Sequence, residues 1–140
     1  MTDAVVYSDG SRLRDNGPVG WGCQVLVEHK RLELSGTLDS SSTLLAELHA
    51  AYKGIELAIE HHASHVVVYT DCLSLIELLK GRAQRPLQNP IIAAEVAQVK
   101  AWEEQVEIRW VWAKSHHRHG SGGNERADYL AKQALLKEQA

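Results

Sequence analysis

A chain of 140 residues, 44% hydrophobic and 24% charged, holds enough material for one hydrophobic core and is too short for two, and this composition excludes a disordered chain. Its net charge of −3 with neutral histidines speaks against a non-specific nucleic-acid binder, and no apolar run approaches membrane-spanning length. The start, "MTDAVVYSDG", lacks the charged-then-apolar pattern of a leader, and Cys23 and Cys72 form no CxxC, so a single domain over 1–140 in a reduced, cytoplasmic setting is expected.

The elements follow in chain order. "DAVVYSD" (3–9) reads as a buried strand, and "GWGCQVLVEHKRLELSGTL" (20–38) as two strands around a tight "EHKR" turn. "SSSTLLAELHAAYKGIELAIEHH" (40–62) supplies hydroxyls for an N-cap, then Leu44, Leu48, Ala51, Ile55 and Ile59 at helical spacing. "HVVVYT" (65–70) is a short β-branched run suited to a strand covered on both faces. "CLSLIELLKG" (72–81) predicts a helix ending at glycine, and "NPIIAAEVAQVKAWEE" (89–104) one opened by proline. "QVEIRWVWA" (105–113) alternates as a strand, and "GNERADYLAKQALLKEQ" (123–139) closes the chain as a helix. The order β-β-β-α-β-α-α-β-α indicates an α/β domain with a mixed sheet flanked by helices.

Four acids stand where apolar residues are expected. Asp9 closes the first strand in register with Val5 and Tyr7, and Asp71 does the same after Val67 and Tyr69. Parallel strands deliver their carboxyl ends to one edge of a sheet, where α/β proteins place their sites. Glu47 lies on the helical stripe of Leu44 and Ala51, and Asp128 on that of Asn124, Ala131 and Leu135. A buried carboxylate without compensation takes up a proton or costs several kcal/mol. No basic residue is expected beside these acids at adjacent spacings, which leaves a hard divalent cation, Mg²⁺ above all, as the partner. Two such ions about 4 Å apart activate water and stabilise a leaving oxygen in phosphodiester hydrolysis. Four neutralised carboxylates would leave the rest of the chain near +1, so net charge does not exclude a nucleic-acid substrate.

With these residues in place, the sequence resembles a type 1 ribonuclease H. "YSDGS" resembles that family's first-strand motif, "AELHAA" the helix carrying its glutamate, and "YTDCLSL" its second strand-end aspartate. "VWAKSHHRHGSGGNERADYLA" is similar to its histidine loop and last helix, and "NGPVGWG" to the Gly- and Pro-rich run that opens its second strand. The resemblance implies a five-stranded mixed sheet (three antiparallel strands, then two parallel) with helices on both sides. It implies endonucleolytic cleavage of the RNA strand of RNA–DNA hybrids, leaving 5′-phosphate and 3′-hydroxyl ends. It assigns Asp9 to bridge two Mg²⁺ ions (Mn²⁺ as an alternative), Glu47 and Asp71 to one ion and Asp128 to the other. Ser11, Asn16 and Asn124 are the substrate contacts implied by motif position, and Thr43 and Leu44 stand where many members carry a minor-groove amide. A monomer with no membrane partner is expected.

The family's loop histidine usually precedes the last aspartate by ten residues, which here is Arg118. Alignment from the strand, "WVWAKSH", gives His116 instead, with His119 second, in a loop two residues longer. The competing reading of "HHRH" is a solvated basic loop. The basic, tryptophan-bearing protrusion of many members is reduced to Lys80, Arg82 and Arg85, which predicts weaker or more salt-sensitive hybrid binding. Cys72 replaces a common serine.

Other features read as structural. Trp110 and Trp112 share a strand face with Val106 and Ile108 and are expected in the core, as is Trp102. His61, His62 and His65 read as favourable charge at a helix end, and both cysteines as small buried hydrophobes. Two further functions compete: a catalytically silent binding module on the same fold, and a 3′–5′ exonuclease of related fold. The latter typically carries Asp-x-Glu in the first strand, where this chain has Asp9, Gly10 and Ser11.

Overall fold

A computed structural model describes residues 2–113 and 122–139. Five strands form one sheet in the order β3-β2-β1-β4-β5. They are β1 (Thr2–Arg12), β2 (Val19–Val27), β3 (Lys30–Leu38), β4 (Ala63–Thr70) and β5 (Glu107–Trp112). The first three pair antiparallel, and β4 and β5 join parallel to β1. Four α-helices connect or flank them: α1 (Thr43–Glu60), α2 (Leu73–Leu79), α3 (Pro90–Glu103) and α4 (Gly122–Gln139). A short 3-10 turn, Arg85–Gln88, precedes α3 and has no periodic signal in the sequence.

Local chemistry explains the element ends. The Ser42 side chain caps α1 by accepting from the Leu45 N–H at 3.0 Å. Asn89 caps α3 by accepting from the Ile91 and Ile92 N–H groups, with Pro90 in the first turn. After α2 the chain enters the left-handed region at Gly81 (φ 77°), as the sequence predicts. The β2–β3 turn is tighter than its composition suggests. Glu28 and His29 both have positive φ (53° and 64°), between the paired residues Val27 and Lys30. Asn and Gly usually fill such a turn.

α1 packs on one face of the sheet, on β1, β2 and β4, with α3 packed against α1. Val6, Cys23, Val25, Val66 and Val68 meet Leu45, Leu48 and Ile55 in this layer. Helix α4 lies on the opposite face, over β2, β1 and β3. It comes so near that a Cβ on Gly22 would sit 2.8 Å from the Ala127 carbonyl oxygen. The glycines of "VGWG" therefore set the height of α4 above the sheet. β4 departs from the sequence reading: Val66 and Val68 are buried, while Val67 and Tyr69 on the α4 face are only half-buried, because α4 leans toward β2 and β3.

Candidate active site

The β1–β4 ladder ends at the pair Tyr7↔Tyr69. Beyond it the two strands part. β4 stops at Thr70, while β1 runs on to Arg12 paired with β2, so Asp9 sits inside a strand and not at its end as the sequence suggested. Asp9 and Asp71 each stand two residues past the last pair, at the mouth of the split. Stacked rings of Tyr7 and Tyr69, centroids 5.1 Å apart, lie directly before them.

Glu47 reaches this point from α1 because Gly10 lets the helix approach. A Cβ on Gly10 would lie 2.9 Å from both the Ala46 Cβ and the Glu47 nitrogen. Asp9, Glu47 and Asp71 can each present an oxygen such that all three atoms lie within 4.8 Å of one another. Asp9 is 2% exposed and Glu47 9%. Burial, reinforced by the charges of Glu47, Asp71 and Asp128, pushes the Asp9 carboxyl up to about 10. Burial and the neighbouring Asp71 push Glu47 up to about 8, against hydrogen bonds from Asp9 and the Gly10 N–H. Gly10 also donates to Asp9 Oδ1 at 2.9 Å. Such a set of hard oxygen donors, with Asp9 and Glu47 destabilised as anions, suits a hard divalent cation.

Asp128, outside the group of three, stands near enough to Asp9 for its charge to add to the rise in the Asp9 carboxyl. Its Oδ2 also lies 3.0 Å from Lys132 Nζ, one helical turn on. This corrects the expectation that no basic residue accompanies the acids, and the i,i+4 spacing was readable in "DYLAK".

The other sequence candidates are spread around this centre. Ser11 is half-buried on β1 beyond Asp9, Asn16 is exposed with φ 61° in the β1–β2 loop, and Thr43 is exposed at the first residue of α1. Asn124 is 1% exposed on the first turn of α4. His116 and His119 lie outside the described residues. Cys72 is half-buried, and burial with the nearby Glu47 charge raises its thiol to about 11. Cys23 is fully buried.

The aromatic and histidine readings divide. Trp110 and Trp102 pack against the core. Trp112 does not: it is 45% exposed at the last position of the edge strand β5, beyond the cover of the helices. Its indole N–H donates to the Asp71 carbonyl at 3.2 Å, a contact with no signal in the strand's alternation. His61 caps the end of α1 and lies 3.1 Å from Glu28, bracing the hairpin turn. His65 sits on β4 between Asp3 and Glu107.

An α/β sheet with a carboxylate cluster at the split between two parallel strands places three acids where they could hold a divalent metal, at the sheet edge where such folds carry their sites. The profile of one family, RNase H, matches residues 1–136. The chain is 34% identical over 142 residues to the Ribonuclease H of Syntrophus aciditrophicus, covering 93% of this chain and 79% of that protein. It is 31% identical over 144 residues to the Ribonuclease H of Thiobacillus denitrificans, covering 94% and 93%. Among solved structures it is similar to the N-terminal RNase H domain of a Mycobacterium tuberculosis protein, at TM-score 0.77, 23% identity and full coverage of both chains. It is similar also to LC11-RNase H1 in complex with an RNA/DNA hybrid, at TM-score 0.77 and 21% identity over 98% and 99% of the chains. These two likenesses carry the fold. The chain belongs to the RNase H family of nucleases, as its motifs indicated. Among the described residues no helix is long and apolar enough to cross a membrane.

Proposed function

We propose that this chain, acting as one catalytic domain over residues 1–140, cleaves the RNA strand of RNA–DNA hybrids internally and leaves 5′-phosphate and 3′-hydroxyl ends. Asp9, Glu47, Asp71 and Asp128 would hold two Mg²⁺ ions, with Mn²⁺ as an alternative. Bound there, the metal supplies Lewis acidity and a water made nucleophilic at neutral pH. The gathering of Asp9, Glu47 and Asp71 ligand oxygens within 4.8 Å carries this reading, since nothing in a binding module calls for burying Asp9 and Glu47 beside a third acid.

The chain's own residues supply position and desolvation. The Gly10 N–H fixes Asp9 Oδ1, and the close approach of α1 fixes the height of Glu47. The stacked tyrosines pack one pleat before Asp9 and Asp71, and Asp9 and Glu47 are buried, so the site has a low-dielectric surround. Asp128, paired with Lys132, keeps a counter-charge at the rim. Ser11, Asn16, Thr43 and Asn124 would offer hydrogen-bonding groups to the hybrid's sugar–phosphate backbones. His116, with His119 second, would assist proton movement or product release. Of the reduced basic segment, Arg82 is held by Glu77 at 3.2 Å, which supports weaker hybrid binding.

The test is cleavage of end-labelled RNA–DNA, RNA–RNA, DNA–DNA and single-stranded RNA with Mg²⁺, Mn²⁺ or EDTA. Internal cuts confined to hybrid RNA, lost with EDTA and in Asp9→Asn, are expected. A folded protein that cuts no duplex with either metal overturns the proposal.

A further inference from the structure

Asp71 follows immediately on β4, at a place where a chain end would fray. Three hydrogen bonds hold its backbone instead. The Ala113 N–H donates to the Thr70 carbonyl at 2.7 Å, the Cys72 N–H to Thr70 Oγ1 at 3.1 Å, and the Trp112 indole N–H to the Asp71 carbonyl at 3.2 Å. The first continues the β4–β5 ladder past its last pair, Thr70↔Trp112. The second closes a turn through a fully buried threonine. The second and third act together on the peptide group that leaves Asp71, through the Cys72 N–H and the Asp71 carbonyl, and the indole bond, made from the neighbouring strand, holds that carbonyl and with it the rotation that orients the Asp71 Cα–Cβ bond.

Packing does not explain the tryptophan. A ring 45% exposed forfeits much of the burial that makes tryptophan worth placing in a strand, and its neighbour two residues back, Trp110, already packs against the core. What remains distinctive is a donor, rigid on a large ring, aimed at the backbone of a candidate ligand.

We propose that Trp112 is a positioning residue: its indole N–H holds Asp71 in the orientation in which Asp71 joins Asp9 and Glu47 around a divalent cation. The inference rests on the reading of the acid cluster given above. Loss of the bond lets the Asp71 carboxylate sample other directions, which weakens the site for metal and leaves the surface that meets the hybrid unchanged.

Trp112→Phe removes the donor and keeps an aromatic ring, and Trp112→Tyr serves as a second variant without the indole N–H. Calorimetric titration of each folded variant with Mn²⁺, in the absence of nucleic acid, is expected to show about fivefold weaker binding, the loss of one ordinary hydrogen bond. The Mg²⁺ concentration giving half-maximal hybrid cleavage should rise by the same factor. At saturating Mg²⁺ kcat should return to the wild-type value and KM for the hybrid should not move, which general structural damage would not produce. Unchanged metal binding in both variants overturns the proposal, and so does a raised KM with normal metal dependence, which would make the ring a substrate contact. Asp71→Asn separates the two levels. If it abolishes metal binding while the Trp112 variants bind normally, only the role of Trp112 fails; if it leaves metal binding intact, the reading of the cluster fails and the proposal with it.

Discussion

Asp9→Asn should make the metal-free protein more stable, by an amount that depends on pH. Asp9 is 2% exposed, and its carboxyl rises from 3.8 to about 10 on folding, through burial and through Glu47, Asp71 and Asp128. The unfolded chain releases this proton above pH 3.8 and the folded chain keeps it to about pH 10. Stability associated with Asp9 is therefore full below pH 3.8 and falls as pH rises through that window. At pH 7 the native state has taken up a proton across about three pH units, at about 1.4 kcal/mol each, a cost of about 4 kcal/mol. Asparagine needs no proton, but its amide brings a buried donor whose unmatched hydrogen costs about 1–2 kcal/mol. The net gain is about 2–3 kcal/mol at pH 7, an upward shift in Tm of roughly 5–10 °C for a chain of this size. Thermal unfolding in EDTA at pH 4, 7 and 8.5 measures it. The difference between variant and wild type should be near zero or negative at pH 4 and largest at pH 8.5. A pH-independent difference, or a variant less stable than wild type at pH 7, refutes the electrostatic reasoning.

Gly10→Ala forces a Cβ to within 2.9 Å of the Ala46 Cβ and the Glu47 nitrogen. It should lower stability by about 1–3 kcal/mol in urea titrations and weaken metal binding together with it, because α1 must lift and carry Glu47 away. His49 lies 2.7 Å from Glu95, both largely buried, with the rings of Trp21 and Tyr52 on either side. His49→Ala should cost about 3–5 kcal/mol by leaving the Glu95 carboxylate buried without its partner, and a loss below 1 kcal/mol would contradict that account. His116→Ala should slow single-turnover cleavage far more than His119→Ala, and equal effects would undo the assignment made from the strand side of the loop.

The order of elements was readable because the strong signals are local. Hydroxyls at 40–43, proline at 90 and glycine at 81 fix helix ends through backbone hydrogen bonds and allowed dihedrals. Glu47 was legible as a candidate because a charge on an apolar helical stripe contradicts the stripe, and the same logic pointed to Asp9 and Asp71, which the fold brings together with it. What escaped depends on distances between segments remote in sequence. That β1 continues past Asp9 is decided by its pairing with β2, since Asp9↔Gly22 holds after β4 has turned away. Trp112 reads as a covered residue by alternation, and only its place at the end of the edge strand leaves it exposed. The half-covered face of β4 follows from where α4 rests, which Gly20 and Gly22 determine from another strand. Lys132 is a different case: its partnership with Asp128 is a local helical spacing that was present in the sequence.

The hairpin between β2 and β3 turns through two consecutive left-handed residues that are not glycine, Glu28 and His29, and is steadied from α1 by His61. The paired strands carry this turn six residues beyond Gly22, the partner of Asp9, or about 20 Å along the sheet. The protein thus keeps its most improvable backbone and its chemistry at opposite poles. Asn-Gly in place of Glu28-His29 relieves the strained dihedrals at the far pole, and a dye or surface tether attached there leaves the carboxylate end open to a long duplex.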